Sequence, residues 1–190
     1  MQGLWNRSSV GFVLAAMLLP VVVADLASRG PSLHFPVALL TAAFWQTVFR
    51  LKQGTPFSAS GAVVAVSFAL FAAGDLAVWQ IAMSVTFGVV LAELLFGGWG
   101  RNFLSAAVAA PAFAYLSFPE VVHPAPGLLV AIAAGLSAVI LLAAGLVSWR
   151  VLLAAGLSAA FFVAGDVSSA DALGALVFAA VFLLADPVAA

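Results

Sequence analysis

From Gly127 to Val147 the chain runs without a charged residue, and Ser137 is its single hydroxyl. About 20 such residues in a helix cross the hydrocarbon core of a bilayer. Lipid offers no partner for backbone N–H and C=O groups, so a segment like this must satisfy its hydrogen bonds internally, as a helix does. The same pattern repeats along the chain. Only 7% of the residues are charged, where a soluble domain carries about 25%. The sequence is therefore expected to form an all-α polytopic membrane protein, a single transmembrane domain over residues 1–190. At roughly 20 residues per span plus turns there is room for about eight helices.

Eight spans are read: Val10–Ser28, Leu33–Lys52, Phe57–Ala73, Ala77–Phe96, Asn102–Phe118, Gly127–Val147, Arg150–Gly165 and Asp171–Ala185. Basic residues set their direction. Arg7, Arg50, Lys52, Arg101 and Arg150 all fall on one side of this arrangement, and only Arg29 falls on the other. The expected topology has an even number of crossings, with both termini cytoplasmic. The first apolar run resembles a signal peptide, but Pro20 and Asp25 interrupt it and no clean small-residue cleavage site follows. It is read as a retained span. Net charge is close to neutral with no basic tail, so nucleic acid is not an expected partner. The chain has no cysteine, which excludes cysteine-ligated iron–sulfur clusters.

Polar residues are so sparse that each one carries weight. Phe96-Gly97-Gly98-Trp99-Gly100-Arg101-Asn102-Phe103-Leu104 places a glycine cluster, a cation and an amide between two apolar runs. Glycines allow close approach of backbone or a flat ligand, and Arg and Asn add donors and an acceptor. A glycine-rich turn with a topology-setting Arg would have the same composition. Asp186-Pro187 ends the eighth span on the same side of the membrane by this topology. It reads either as a carboxylate facing that polar notch or as a helix stop. Pro20 and Pro111 lie inside spans and should kink them. His34 and His123 lie near the outer face and make a poor haem pair. No ionisable residue sits near the middle of a span; Glu93 comes within about one turn of the cytoplasmic end of the fourth. Proton relays usually carry intramembrane carboxylates or histidines, so the chain alone is a poor proton pump.

Trp79-Gln80, Thr86-Phe87-Gly88-Val89-Val90 and Gly97-Gly98-Trp99-Gly100-Arg101-Asn102-Phe103, followed by Leu116-Ser117-Phe118-Pro119, resemble one family. So do Phe44-Trp45-Gln46, Ser148-Trp149-Arg150 and Ala185-Asp186-Pro187-Val188. This is the NqrB/RnfD family: NqrB is a membrane component of the sodium-pumping NADH:quinone oxidoreductase, and RnfD its relative in the Rnf electron-transport complex. The resemblance implies a bundle short of the family's last two helices. It also implies a noncovalent flavin, riboflavin or FMN, near the cytoplasmic face, contacted by Gly97, Gly98, Gly100, Arg101, Asn102, Ser105, Asp186 and Pro187. Phe44, Trp45 and Gln46 match a stretch associated with quinone-site inhibitors; an interfacial aromatic belt is the other reading.

The departures are informative. Ser105 and Ala106 stand where the family has Asn and Pro, and Pro111 falls near a family Arg. The family's covalent FMN sits on a threonine in the loop after the fifth span. Here that loop, residues 119–126, has none; the four threonines are Thr41, Thr47, Thr55 and Thr86. No covalent FMN is expected.

Three functions follow. The first is a membrane subunit of an electron-transport complex, in the inner membrane of a bacterium, relaying electrons through flavin to quinone or a partner flavoprotein. The second is a small-solute channel or transporter of urea- or ammonia-channel-like fold. The third is a structural subunit without cofactor. Membrane lipid, and either further subunits or a second copy, are the expected neighbours.

Overall fold

A computed structural model describes residues 7–30, 32–54, 60–72, 76–97, 104–118, 127–150, 152–154, 156–157 and 177–184. Among these every regular element is helical. The helices are α1 (Arg7–Arg29), α2 (His34–Gln53), α3 (Ser60–Phe71), α4 (Val78–Thr86), α5 (Ala106–Ser117) and α6 (Leu128–Ala143). α4 passes without a break into a π-helical segment, Phe87–Glu93, and then a 3₁₀ turn, Leu94–Phe96. A second π segment covers Ala179–Leu184.

The chain divides into two compact units, one of Met1–Met17 with Ser32–Pro124, the other of Leu18–Pro31 with Ala125–Ala190. In the first unit α3 is the core. Val64 through Leu70 are all buried, with Ser60 and Gly61 at its start. A short helix apolar on every face belongs inside, and α2 and α5 pack on it. α2 buries its small residues, Ala38 and Ala42, while Leu40, Phe44 and Leu51 are exposed. Small residues at the packed face and large ones outside is the pattern of helices that meet in lipid. α2 ends at Gly54, whose N–H donates to the Arg50 carbonyl at 3.0 Å. Arg50 and Lys52 in its last turn complement the negative end of the helix dipole.

In the second unit α6 buries Val130, Ala133, Ala134, Ser137 and Leu141 and exposes Leu129, Ile132, Leu136 and Val139. The second π segment packs against α6, with Phe178 and Phe182 stacked 5.1 Å apart. The C-terminal half of α1 closes with Arg29 beside Asp25 at 3.4 Å, one turn away.

Among the described residues Val78–Phe96 is the one helix both long and apolar enough to cross a membrane; Ser60–Phe71, Ala106–Ser117 and Leu128–Ala143 are shorter apolar helices. The first six expected spans each coincide with a helix, with corrections at their ends. The fifth begins at Ala106 rather than Asn102, because Ser105 is extended, with φ −63° and ψ 119°. The sixth ends at Ala143 rather than Val147. There the Leu146 N–H returns to the Leu141 carbonyl at 3.0 Å, the wrapped ending that satisfies last-turn carbonyls. Most of the seventh expected span and the two ends of the eighth lie outside the described residues.

Candidate functional site

The helix Val78–Phe96 changes pitch along its length, and its polar residues sit where the pitch changes. Its start is capped by Gln80, whose Oε1 accepts the Ala77 N–H at 2.7 Å. This reach-back of a third-position side chain satisfies a donor that the first turn leaves open. From Phe87 the turns widen. The Leu94 N–H reaches back five residues to the Val89 carbonyl, and also to that of Val90. Such π segments are rare and concentrate at functional sites. At Glu93 the backbone departs from helical values, with φ −124° and ψ −62°, and the 3₁₀ turn follows. The turn ends at Gly97, whose φ of 103° is a left-handed conformation that favours glycine.

Gly88 lets the π segment lie against α5. A Cβ there would stand 2.7 Å from the Ala110 Cβ, 2.8 Å from the Ala106 carbonyl oxygen and 2.9 Å from the Ala110 nitrogen. Beside this contact Phe87 stacks on Phe113 at 4.5 Å, and Phe113 meets Phe118 edge-on at 6.3 Å. Trp79 reaches the same Phe118 at 5.5 Å. α5 is tied to α3 by the Ser67 hydroxyl, which donates to the Ala107 carbonyl.

Two neighbouring residues of α2 hold the π segment at its ends. The Trp45 indole N–H donates to the Thr86 hydroxyl at 2.9 Å, just before the segment begins. The Gln46 amide donates to the Ser60 hydroxyl at 3.1 Å. Ser60 in turn donates to Glu93 Oε1 at 2.6 Å, on the segment's last residue. All three members of this second chain are buried, Glu93 to 2% exposure and Gln46 to 4%. A buried carboxylate is costly unless hydrogen-bonded. Ser60 spends its one hydrogen on Glu93 and accepts from Gln46 with a lone pair, so each atom is used in its natural sense.

Of the residues proposed from sequence, Gly97 turns the chain out of the 3₁₀ segment, and Ser105 heads α5 without using its side chain as a cap. Gly98, Gly100, Arg101, Asn102, Asp186 and Pro187 lie outside the described residues. Phe44 is exposed and packs edge-on against Trp45 at 5.2 Å. Trp45 and Gln46 make internal hydrogen bonds to Thr86 and Ser60, which an aromatic belt alone does not require. Sequence reasoning missed Ser60, Thr86 and the involvement of Glu93. The available signal was Glu93 itself, the single ionisable residue between Val78 and Phe96.

The sequence model of the NQR2, RnfD, RnfE family matches residues 6–127, which include every residue of this arrangement. The chain belongs to that family. It is 34% identical over 116 residues to the B subunit of the Na(+)-translocating NADH-quinone reductase of Chromohalobacter salexigens, covering 60% of this chain and 28% of the relative. Proteins of the same name from Pseudoalteromonas atlantica and Klebsiella pneumoniae are 36% identical over 85 residues and 38% over 76, covering 45% and 40% of this chain and 21% and 18% of those relatives. The matched segment thus spans less than a third of each relative. As a family member with this composition, the chain is a membrane protein.

Proposed function

We propose that this chain is a membrane subunit of an electron-transport oxidoreductase complex, holding a noncovalent flavin (riboflavin or FMN) near the cytoplasmic face. The observation that carries the reading is family membership across residues 6–127, the interval that contains the glycine cluster. The relatives are named as subunits of an NADH-quinone reductase, which supports further redox subunits as partners and quinone as an acceptor.

The residues present suit the group. An isoalloxazine edge needs donors and acceptors of amide type, and Asn102 offers both. Arg101 favours a reduced, anionic ring by its charge. Gly97 turns the backbone sharply at the entrance to this stretch, and the Ser105 hydroxyl beyond it is not engaged as a helix cap. When bound, the flavin supplies the electron transfer; the protein supplies position, polarity and exclusion of water.

The test is direct. Chain purified in detergent from its native membrane, with whatever subunits accompany it, should be yellow. Denaturation should release free riboflavin or FMN, identified by mass. Colourless preparations that pass a small solute across liposomes would instead establish the channel reading, and colourless preparations without flux the structural one.

A further inference from the structure

Thr86 and Glu93 mark the two ends of the π segment, and consecutive residues of α2 secure them: Trp45 holds Thr86 directly, and Gln46 holds Glu93 through Ser60. We propose that Trp45, Gln46 and Ser60 are positioning residues. They keep Phe87–Glu93 in its π register and thereby fix the direction in which the glycine cluster leaves the helix.

The argument is one of geometry and competition. A helix closing i→i−5 bonds is less favourable than its α counterpart, so the wide turns need support from outside the helix. Inside the segment itself, Phe87-Gly88-Val89-Val90-Leu91-Ala92 carries no side-chain donor or acceptor. The support is placed at its boundaries. At the first boundary the side chain of Thr86 accepts the indole hydrogen rather than being used to close the helix. At the second, Glu93, the last residue of the π segment, has non-helical dihedrals of φ −124° and ψ −62°, and its carboxylate is held in the protein interior by α3. Relaxation of this segment to α pitch would rotate Glu93 away from Ser60 and leave a buried carboxylate without its 2.6 Å donor. Gly97 follows Glu93 by one turn, so the register at Glu93 sets the start of the cluster. The stretch Phe44–Gln46 therefore acts on the cofactor region through the helix between them.

The register claim stands on the hydrogen bonds alone; its link to cofactor placement rests on the flavin reading above. The experiment separates the two. Ser60→Ala and Thr86→Val are made singly and together in the full chain. Amide hydrogen exchange is followed over Phe87–Phe96, with α6 as the internal reference, and flavin content and visible spectrum are recorded on the same samples. Ser60→Ala should speed exchange in Phe87–Phe96 by about fivefold to tenfold, the effect of one lost buried hydrogen bond, and Thr86→Val, whose bond is half-buried, by about threefold. α6 should be unchanged, and flavin should be lost or spectrally shifted. Glu93→Gln retains an oxygen acceptor for Ser60 and should keep exchange close to wild type. It also serves as the readable variant if Ser60→Ala fails to fold. Unchanged exchange in both single variants, or exchange in Glu93→Gln raised as far as in Ser60→Ala, overturns the register claim. Raised exchange with flavin content and spectrum intact overturns the link to the cofactor. A wild-type chain that takes up no flavin overturns the preceding reading, and the exchange data still decide the register.

Discussion

The Trp45 indole nitrogen lies 2.9 Å from the Thr86 hydroxyl oxygen, a side-chain bond between helices forty-one residues apart in sequence. Hydrogen bonds between membrane helices contribute on average about 0.6 kcal/mol by double-mutant cycle. Trp45→Phe and Thr86→Val should therefore each lower thermal stability in detergent, and the pair together should cost less than the two losses added, by about that amount. Strict additivity in the melting data would show that the contact contributes nothing.

Gly88→Ala should be among the most damaging small substitutions in the chain. The new methyl meets Ala110 Cβ at 2.7 Å and two backbone atoms at 2.8 and 2.9 Å, and helix backbones do not yield as side chains do. Overpacking of this kind costs about 1–3 kcal/mol. Adding Ala110→Gly removes the nearest atom and leaves the backbone clashes, so it should restore part of the lost melting temperature. Full restoration would place the conflict in the side chain alone.

Phe113 faces Phe87 at 4.5 Å with nearly parallel rings, inclined by 20°. Phe113→Leu keeps apolar bulk and removes the ring contact, worth about 0.5–1.5 kcal/mol beyond area. A further Phe87→Leu should then add little. Chemical or thermal unfolding of the two variants and their combination measures the coupling.

The basic residues predict that the loop after Gly54 is cytoplasmic and that residues 73–75 face the opposite side. Cysteine introduced at each place into this cysteine-free chain should react with a membrane-impermeant maleimide only in the second case, in intact cells. Labelling after Gly54 and protection at residues 73–75 would reverse the topology.

The positions of the helices were legible because burial in lipid selects composition, and composition is visible. Runs such as Val78–Phe96 can be read from apolar length alone. Pitch cannot. Phe87-Gly88-Val89-Val90-Leu91-Ala92 has no residue whose chemistry demands five-residue closure; that closure is stabilised by α2, α3 and α5. For the same reason Glu93 read as a residue near a helix end. Its burial depends on Ser60, brought against it by the packing of a helix thirty-three residues earlier. Trp45 and Gln46 stood out by type, yet their partners Thr86 and Ser60 are ordinary hydroxyls in apolar runs. The late start of α5 had a signal: Ser105 is a residue type that commonly heads a helix in extended conformation, although its side chain makes no cap bond.

Wide turns also impose an accounting in residues. Each residue of an α-helix advances the chain by about 100° around the axis, and a five-residue closure takes up one residue more than a four-residue closure does. Deleting a single amino acid between Phe87 and Ala92 would let the helix run at ordinary pitch, at nearly the same length, with later side chains close to their present bearing; keeping every residue and tightening to ordinary pitch would instead swing them round by about 100°. The bearing of Gly97 is thus encoded in residue count and pitch together: a chain with one fewer upstream residue could reach the same bearing with an ordinary helix, whereas this chain reaches it only while the wide turns hold.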